Sequence, residues 1–172
     1  MGLDMYLYKE KYFSEFRKNL PKVEGFEDCE SMTIKGEAIY WRKANAIHQW
    51  FVEKVQKGRD NCGNYRVSTD QLRDLLRDVN IVLGSTQLVS GKVRNGQILK
   101  EGYWEDIVEE GEIVEDPILA EKVLPTQGGF FFGGTDYDEY YYRDLEHTKK
   151  RLDELLNSPD VEDYDYSYHS SW

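Results

Sequence analysis

Three side chains that can contact a small ligand recur at helical spacing in the stretch 38–58. Trp41, Asn45 and His48 are four and three positions apart, so a helix would place them on one flank. An indole stacks on planar rings, an amide reads hydrogen bonds, and an imidazole exchanges protons near neutral pH. With Arg42 beside them for a phosphate, the pattern predicts a site for a nucleotide-like molecule. Such a protein would bind or sequester the molecule, or act on it as an enzyme.

The same residues also have a purely structural interpretation. Trp41 can be a core aromatic residue, and His48 can be a boundary histidine whose ring nitrogens are satisfied by neighbours. Nothing in the stretch adds a nucleophile or an oxyanion-binding feature. The sequence therefore favours a protein without catalytic residues and leaves enzymatic activity open.

A second candidate site combines acidic and aromatic side chains. Residues 101–116 contain eight acidic residues and no basic one. Exposed aromatic side chains supply contact area, and carboxylates steer association with a positively charged partner. The alternative is a charged edge that only opposes aggregation. The predicted partner contacts are Tyr103, Trp104, Glu105, Asp106, Glu109, Glu110 and Glu112.

The net charge of −11 is distributed unevenly along the chain. Residues 1–60 carry 11 basic and 10 acidic side chains, and residues 61–100 carry 6 and 3. Residues 101–172 carry 5 basic and 20 acidic side chains, a net charge of −15. This distribution argues against direct nucleic-acid binding, which needs surplus Lys and Arg to neutralise phosphates. It favours a protein partner with a basic groove.

Other chemistry-bearing patterns are weak. "GGFFFGG", residues 128–134, lacks the spacing of a phosphate-binding loop and predicts a short buried strand. Cys29 and Cys62 are not in a CxxC motif and are expected to be free thiols. The three histidines lack zinc-ligand spacing. We therefore expect neither a metal nor a cofactor.

The elements that position these residues follow from hydrophobic periodicity. Leu3, Met5 and Leu7 alternate with polar positions and predict a strand from residue 3, followed by a loop over 14–36. Helices are predicted over about 40–57, 69–83 and 136–156. The following features bound these elements: a capping box of Ser68 and Gln71, an N-cap at Thr135 or Asp136, and a hairpin turn at Asn95-Gly96.

Together these elements predict one α+β domain over residues 1–158, a small mixed or antiparallel sheet packed by about three helices. The segment 159–172 alternates acidic and aromatic residues without a Lys or Arg, and we expect a flexible tail. No apolar run approaches 18 residues and no leader pattern is seen, so no membrane association and a cytoplasmic location are expected.

Three motifs carry a resemblance over residues 1 to about 156. At "GLDMYLYK", "YWRKANAIHQWFV" and "PTQGGFFFGGTDYDEYYYRDL" the chain resembles a family of small accessory proteins encoded by phages and prophages. The resemblance transfers no catalytic residue. It implies a viral protein in the host cytoplasm that binds and inhibits host machinery. A nucleic-acid-handling defence nuclease, opposed in anti-CRISPR or anti-restriction fashion, is the expected target class.

Overall fold

The N-terminal alternation forms the first strand of a four-stranded antiparallel sheet. In a computed structural model that describes residues 2–172, β1 (Asp4–Ser14) pairs with β2 (Ser31–Arg42). Leu3, Met5 and Leu7 are fully buried on one face, as the alternation predicts. The last six residues of the predicted loop 14–36 are instead part of β2, which starts at Ser31.

The C-terminal segment is a sheet strand, which corrects the prediction of a flexible tail over 159–172. After a short 3₁₀ turn (Val161–Asp163), β6 (Asp165–Ser171) lies between β1 and β3 (Asn64–Val67). Tyr166 and Tyr168 alternate with polar residues and point into the core, so the acidic-aromatic pattern encodes one buried face. The sheet order is β2-β1-β6-β3.

The first predicted helix, over about 40–57, begins later than its periodicity suggests. Helix α1 spans Asn45–Lys54, and residues 40–42 belong to β2. Ile39 and Trp41 are buried while Tyr40 is exposed, which is the period-two pattern of a strand. Lys43 adopts a left-handed backbone with φ 61° and turns the chain from the strand into the helix.

The other two predicted helices are present with small shifts. Helix α2 spans Thr69–Ser85 and starts with the expected capping box of Ser68 and Gln71. Helix α4 spans Glu139–Leu156, and its N-cap is Asp138 rather than Thr135 or Asp136. A short helix α3 (Ile118–Val123) precedes α4.

The core lies on one side of the four-stranded sheet. Phe51 of α1 stacks on Tyr168 of β6 with ring centroids 3.9 Å apart and planes 7° from parallel. Leu145 and Leu152 of α4 complete the buried layer. Tyr6, on the opposite face of β1, contacts Tyr40 and His169 and lies outside this core. The fold is thus a single α+β domain.

A separate two-stranded sheet forms an arm, defined here as residues 88–114. Strand β4 (Leu88–Lys100) pairs antiparallel with β5 (Tyr103–Val114). The turn is Glu101-Gly102, both with positive φ, rather than the predicted Asn95-Gly96. Asn95 and Gly96 instead form a bulge, where the register shifts and Gly96 has φ 97°.

Within residues 2–172, no helix has the length and apolar character needed to cross a membrane.

Candidate functional site

The arm joins the domain only near its base. The Val114 N–H donates to the Tyr137 carbonyl at 2.9 Å, and the Arg94 Nε lies 3.2 Å from an Asp136 carboxylate oxygen. Within the part of the chain that the structure describes, the side-chain bonds of residues 95–109 stay inside the arm. We call residues 95–109 the outer arm. It is held by its own cross-strand pairs.

Both faces of the outer arm are exposed, and both carry apolar side chains. Trp104 lies opposite Leu99 on one face, and they are 67% and 56% exposed. Tyr103 is 78% exposed on the other face, where Ile98 and Ile107 follow along the strands. Monomeric proteins seldom leave such side chains uncovered without an interaction to serve, so the outer arm has the character of a binding surface.

All seven predicted partner contacts lie on β5 of the arm, so the structure brings them together. Glu105 pairs with Lys100 at 2.9 Å, Asp106 accepts from Gln97 at 2.8 Å, and Glu109 accepts from Asn95 at 2.9 Å. These contacts are solvent-exposed, and exposed pairs stabilise by only about 0–1 kcal/mol. Among the described residues, the Glu110 and Glu112 side chains have no hydrogen-bond or ion-pair partner. Most of the acidic charge of the arm therefore remains available to a partner.

The residues of the alternative site, Trp41, Arg42, Asn45 and His48, do not share one flank of a helix. Trp41 belongs to β2, is buried, and donates its indole N–H to the Thr148 hydroxyl at 2.9 Å. Arg42 is exposed and pairs with Asp4 at 2.7 Å. His48 is fully buried. The structural interpretation of Trp41 and His48 fits these contacts better than a pocket wall.

His48 is part of a buried polar network. Its Nδ1 lies 2.7 Å from the Tyr168 hydroxyl, and its Nε2 lies 3.1 Å from an Asp60 carboxylate oxygen. The second Asp60 oxygen accepts from Gln127 at 3.1 Å. Burial lowers the pKa of His48, and the nearby Asp60 charge opposes this effect. The imidazole thus links α1 directly to β6 and to Asp60, and Asp60 in turn contacts the loop that contains Gln127.

Asn45 anchors the same loop from the start of α1. Its amide nitrogen donates to the carbonyls of Phe132 and Gly134 at 3.0 and 2.7 Å, and its oxygen accepts from the Gln127 N–H at 3.2 Å. "GGFFFGG" is thus an irregular loop and not the predicted buried strand. Phe132 is buried, whereas Phe130 is 95% exposed. The Asn45 side chain thus provides hydrogen-bond partners for backbone groups of this loop, which in the described part of the chain has no neighbouring strand to provide them.

A cleft of about 590 Å³ lies between the arm at Arg94–Gly96, the start of α1 and the first turns of α4. Of the four residues of the alternative site, Arg42 and Asn45 line it, and Trp41 and His48 do not. Its acidic wall consists of Asp136, Asp138 and Asp144, and of these Asp144 was not expected from the sequence. Asp138 accepts the N–H groups of Tyr140 and Tyr141 at 2.9 and 3.1 Å, as the α4 N-cap requires.

Asp144 is the unusual group of this cleft. Burial, with a smaller contribution from the Asp138 charge, raises the pKa of Asp144 to about 7. The signal for it was present in the sequence, because Asp144 lies between Tyr141 and Leu145 and borders the apolar stripe of α4. Among residues 2–172, no group of three or more His, Cys, Asp or Glu side chains is arranged to hold a metal ion.

No protein-family model, curated protein or solved structure matches this chain. The resemblance to phage accessory proteins therefore stays a prediction. The function has to be inferred from the arm and the cleft themselves.

Proposed function

We propose that this protein binds a partner protein through the arm and inhibits it by occupying a basic groove. The observation that carries the proposal is the exposure of both faces of the outer arm, each of which carries an aromatic residue together with acidic and aliphatic side chains. Such a surface has no role in the core of its own domain. Its residues are free to contact another molecule.

The composition of the arm matches the two requirements of a specific interface. Trp104 and Tyr103 are the residue types that carry most binding energy when they become buried against a partner. The carboxylates of β5 supply long-range attraction to positive charge and speed association. The 13 residues of β4 extend about 40 Å at about 3.3 Å per residue, enough to reach along a groove.

A groove that holds nucleic acid is the basic surface that suits this arm best. Such grooves are lined with Lys and Arg that neutralise phosphates, and their binding energy is strongly electrostatic. An acidic arm competes for the same cations. The resemblance to phage accessory proteins supports a host defence nuclease as the target, met in the host cytoplasm.

The test is capture of the partner by tagged protein from host cell extract, at low and high salt. We compare the wild-type protein with an arm variant that has four carboxylates neutralised. We also compare it with a control variant that loses four exposed carboxylates from the segment 15–30. The arm substitutions are Glu105→Gln, Glu109→Gln, Glu110→Gln and Glu112→Gln. The control substitutions are Glu15→Gln, Glu24→Gln, Asp28→Asn and Glu30→Gln.

Because both variants lose the same charge, only a specific role of the arm separates them. We expect the wild-type and control proteins to retain one partner at low salt and the arm variant to lose it. The purified partner should then lose nucleic-acid binding when the wild-type protein is added. Equal capture by the arm and control variants would refute the proposal.

A further inference from the structure

The charged side chains of the cleft are satisfied in all but two cases. Arg42 pairs with Asp4 at 2.7 Å, and Arg94 pairs with Asp136 at 3.2 Å. Asp138 is occupied by the backbone N–H groups that it caps. Within the described residues this leaves Lys43 and Asp144 without an oppositely charged partner.

Lys43 does not neutralise Asp144. The methylene groups of Lys43 pack beside Gly2 and Gly133, and among the described residues its ammonium group forms no ion pair with Asp144. Burial and the Asp138 carboxylate raise the pKa of Asp144, and no cation lowers it. The carboxylate is therefore half-buried without compensation, which is a costly arrangement for a charge.

The wall around Asp144 suits a long cationic side chain. Tyr140, Tyr141 and Leu145 of α4 line the cleft beside it, and of these three side chains Tyr140 is the one exposed to solvent. Aromatic faces attract guanidinium groups, and apolar walls accommodate the methylene stem of an arginine. A carboxylate then binds the planar head through two parallel hydrogen bonds. A divalent cation fits less well, because it needs several converging oxygen ligands, and among residues 2–172 no three His, Cys, Asp or Glu side chains are arranged to hold one.

We propose that the cleft receives an arginine side chain of the partner that the arm engages, with its guanidinium group paired with Asp144. This step rests on the proposed function. The arm residues Arg94–Gly96 form part of the cleft, so the two contact surfaces are continuous. A partner with a basic groove supplies arginine at high density, and the unpaired carboxylate complements it.

The test uses a defined probe and needs no partner. N-acetyl-arginine methylamide is titrated into each protein and followed by NMR, through the Asp144 carboxyl resonance in the wild-type protein and through the backbone amide resonances of residues 140–145 in the wild-type protein and both variants. The isosteric citrulline compound, which has no charge, is titrated in parallel. Two variants are compared: Asp144→Asn, and Glu146→Gln as a control on an exposed carboxylate of the same helix.

We expect the arginine probe to bind with a dissociation constant of about 10 mM, as one charge-assisted pair allows, and to shift the Asp144 resonance. Asp144→Asn should weaken binding about tenfold, while Glu146→Gln and the wild-type protein behave alike. Circular dichroism of each variant confirms that the fold is retained.

An unperturbed Asp144 resonance at about 50 mM probe, several times the expected dissociation constant, would overturn the proposal. Equal binding of the citrulline compound, or an unchanged affinity in Asp144→Asn, would do the same. Loss of partner capture in the arm variant has no bearing on this titration. A failure of the cleft proposal can therefore be distinguished from a failure of the proposed function.

Discussion

The four-stranded sheet and the arm are both antiparallel, yet only one of them has a buried face. In the four-stranded sheet, Leu7 and Tyr168 are fully enclosed beneath the helices. In the arm, Leu99 and Trp104 are opposite each other across two strands and remain mostly in water. The residue patterns differ accordingly. Leu3, Met5 and Leu7 alternate with polar residues and form one apolar face, whereas β5 carries apolar and acidic residues in successive pairs, so both of its faces are mixed.

The difference shows which residues are free for function. An isolated two-stranded hairpin is marginally stable in water, so the outer arm adds little to the stability of the domain. Side chains in the core are fixed by close packing and cannot change without a cavity or a clash. Those of the outer arm have no such role, which is why they are available for binding.

The largest expected effect is a core truncation, which tests whether stability resides in the domain rather than the arm. Phe51→Ala removes a fully buried ring stacked on Tyr168, and should lower the free energy of unfolding by about 4 kcal/mol. Trp104→Ala, the matched truncation on the arm, should change it by about 0.5 kcal/mol or less. Urea denaturation measures both, and equal losses would show that the arm shares the core.

An intermediate effect is expected from Asp144, which lies where the arm meets the domain. Its pKa rises from 3.8 to about 7 on folding, so the folded state holds this proton more tightly than the unfolded state. The stabilisation is complete below about pH 4 and is lost as the pH rises through 7. Asp144→Asn should match the wild-type protein near pH 4 and exceed its stability near pH 8.

The gain at pH 8 should be about 1–2 kcal/mol. The full pKa shift of Asp144 would correspond to about 4 kcal/mol. The expected gain is smaller, because the Asp144 side chain retains some contact with water. Urea denaturation at the two pH values measures it, and Glu146→Gln serves as the control. If the stability difference between Asp144→Asn and the wild-type protein stayed constant with pH, the raised pKa of Asp144 in the folded protein would be contradicted.

The smallest effect on the whole protein is expected at the turn of the arm. Gly102 has φ 88°, which a β-branched residue cannot adopt without strain. Gly102→Val should lower the free energy of local opening of the arm by about 1 kcal/mol, seen as faster amide exchange in 97–106. Global unfolding should change by about 0.5 kcal/mol or less. Gly36→Val is the control, because Gly36 lies on the edge strand β2 and an added side chain there meets open space. An equal loss in global stability would show that arm and domain unfold together.

Local patterns predicted the elements that depend on neighbours in sequence. The Ser68–Gln71 capping box and helix α2 follow from side chains that bond within one turn. The N-terminal strand follows from simple alternation. The prediction of a turn at Asn95-Gly96 was wrong, because Asn-Gly also suits a bulge and Glu101-Gly102 closes the hairpin instead.

The two candidate sites also differ in how far the sequence predicted them. The seven residues of the arm lie together on one strand, so a contiguous stretch was enough to group them. The cleft joins residues from β2, α1, β4 and α4, and no spacing along the chain indicates that Arg94 meets Asp136. Trp41 and His48 were grouped by a helical spacing that the strand β2 interrupts.

By itself the sequence determined the α+β class, the positions of α2 and α4, and an acidic-aromatic surface on 103–112, since each depends on composition or on contacts a few residues apart. Only the tertiary structure decided three further points. Residues 165–171 form a central strand, the buried His48 side chain connects α1 to β6, and Asp144 has no ion-pair partner among the described residues of its cleft. These outcomes depend on burial and on partners distant in sequence. The interactions that decide these outcomes form only when folding brings residues that are distant in sequence together and buries them.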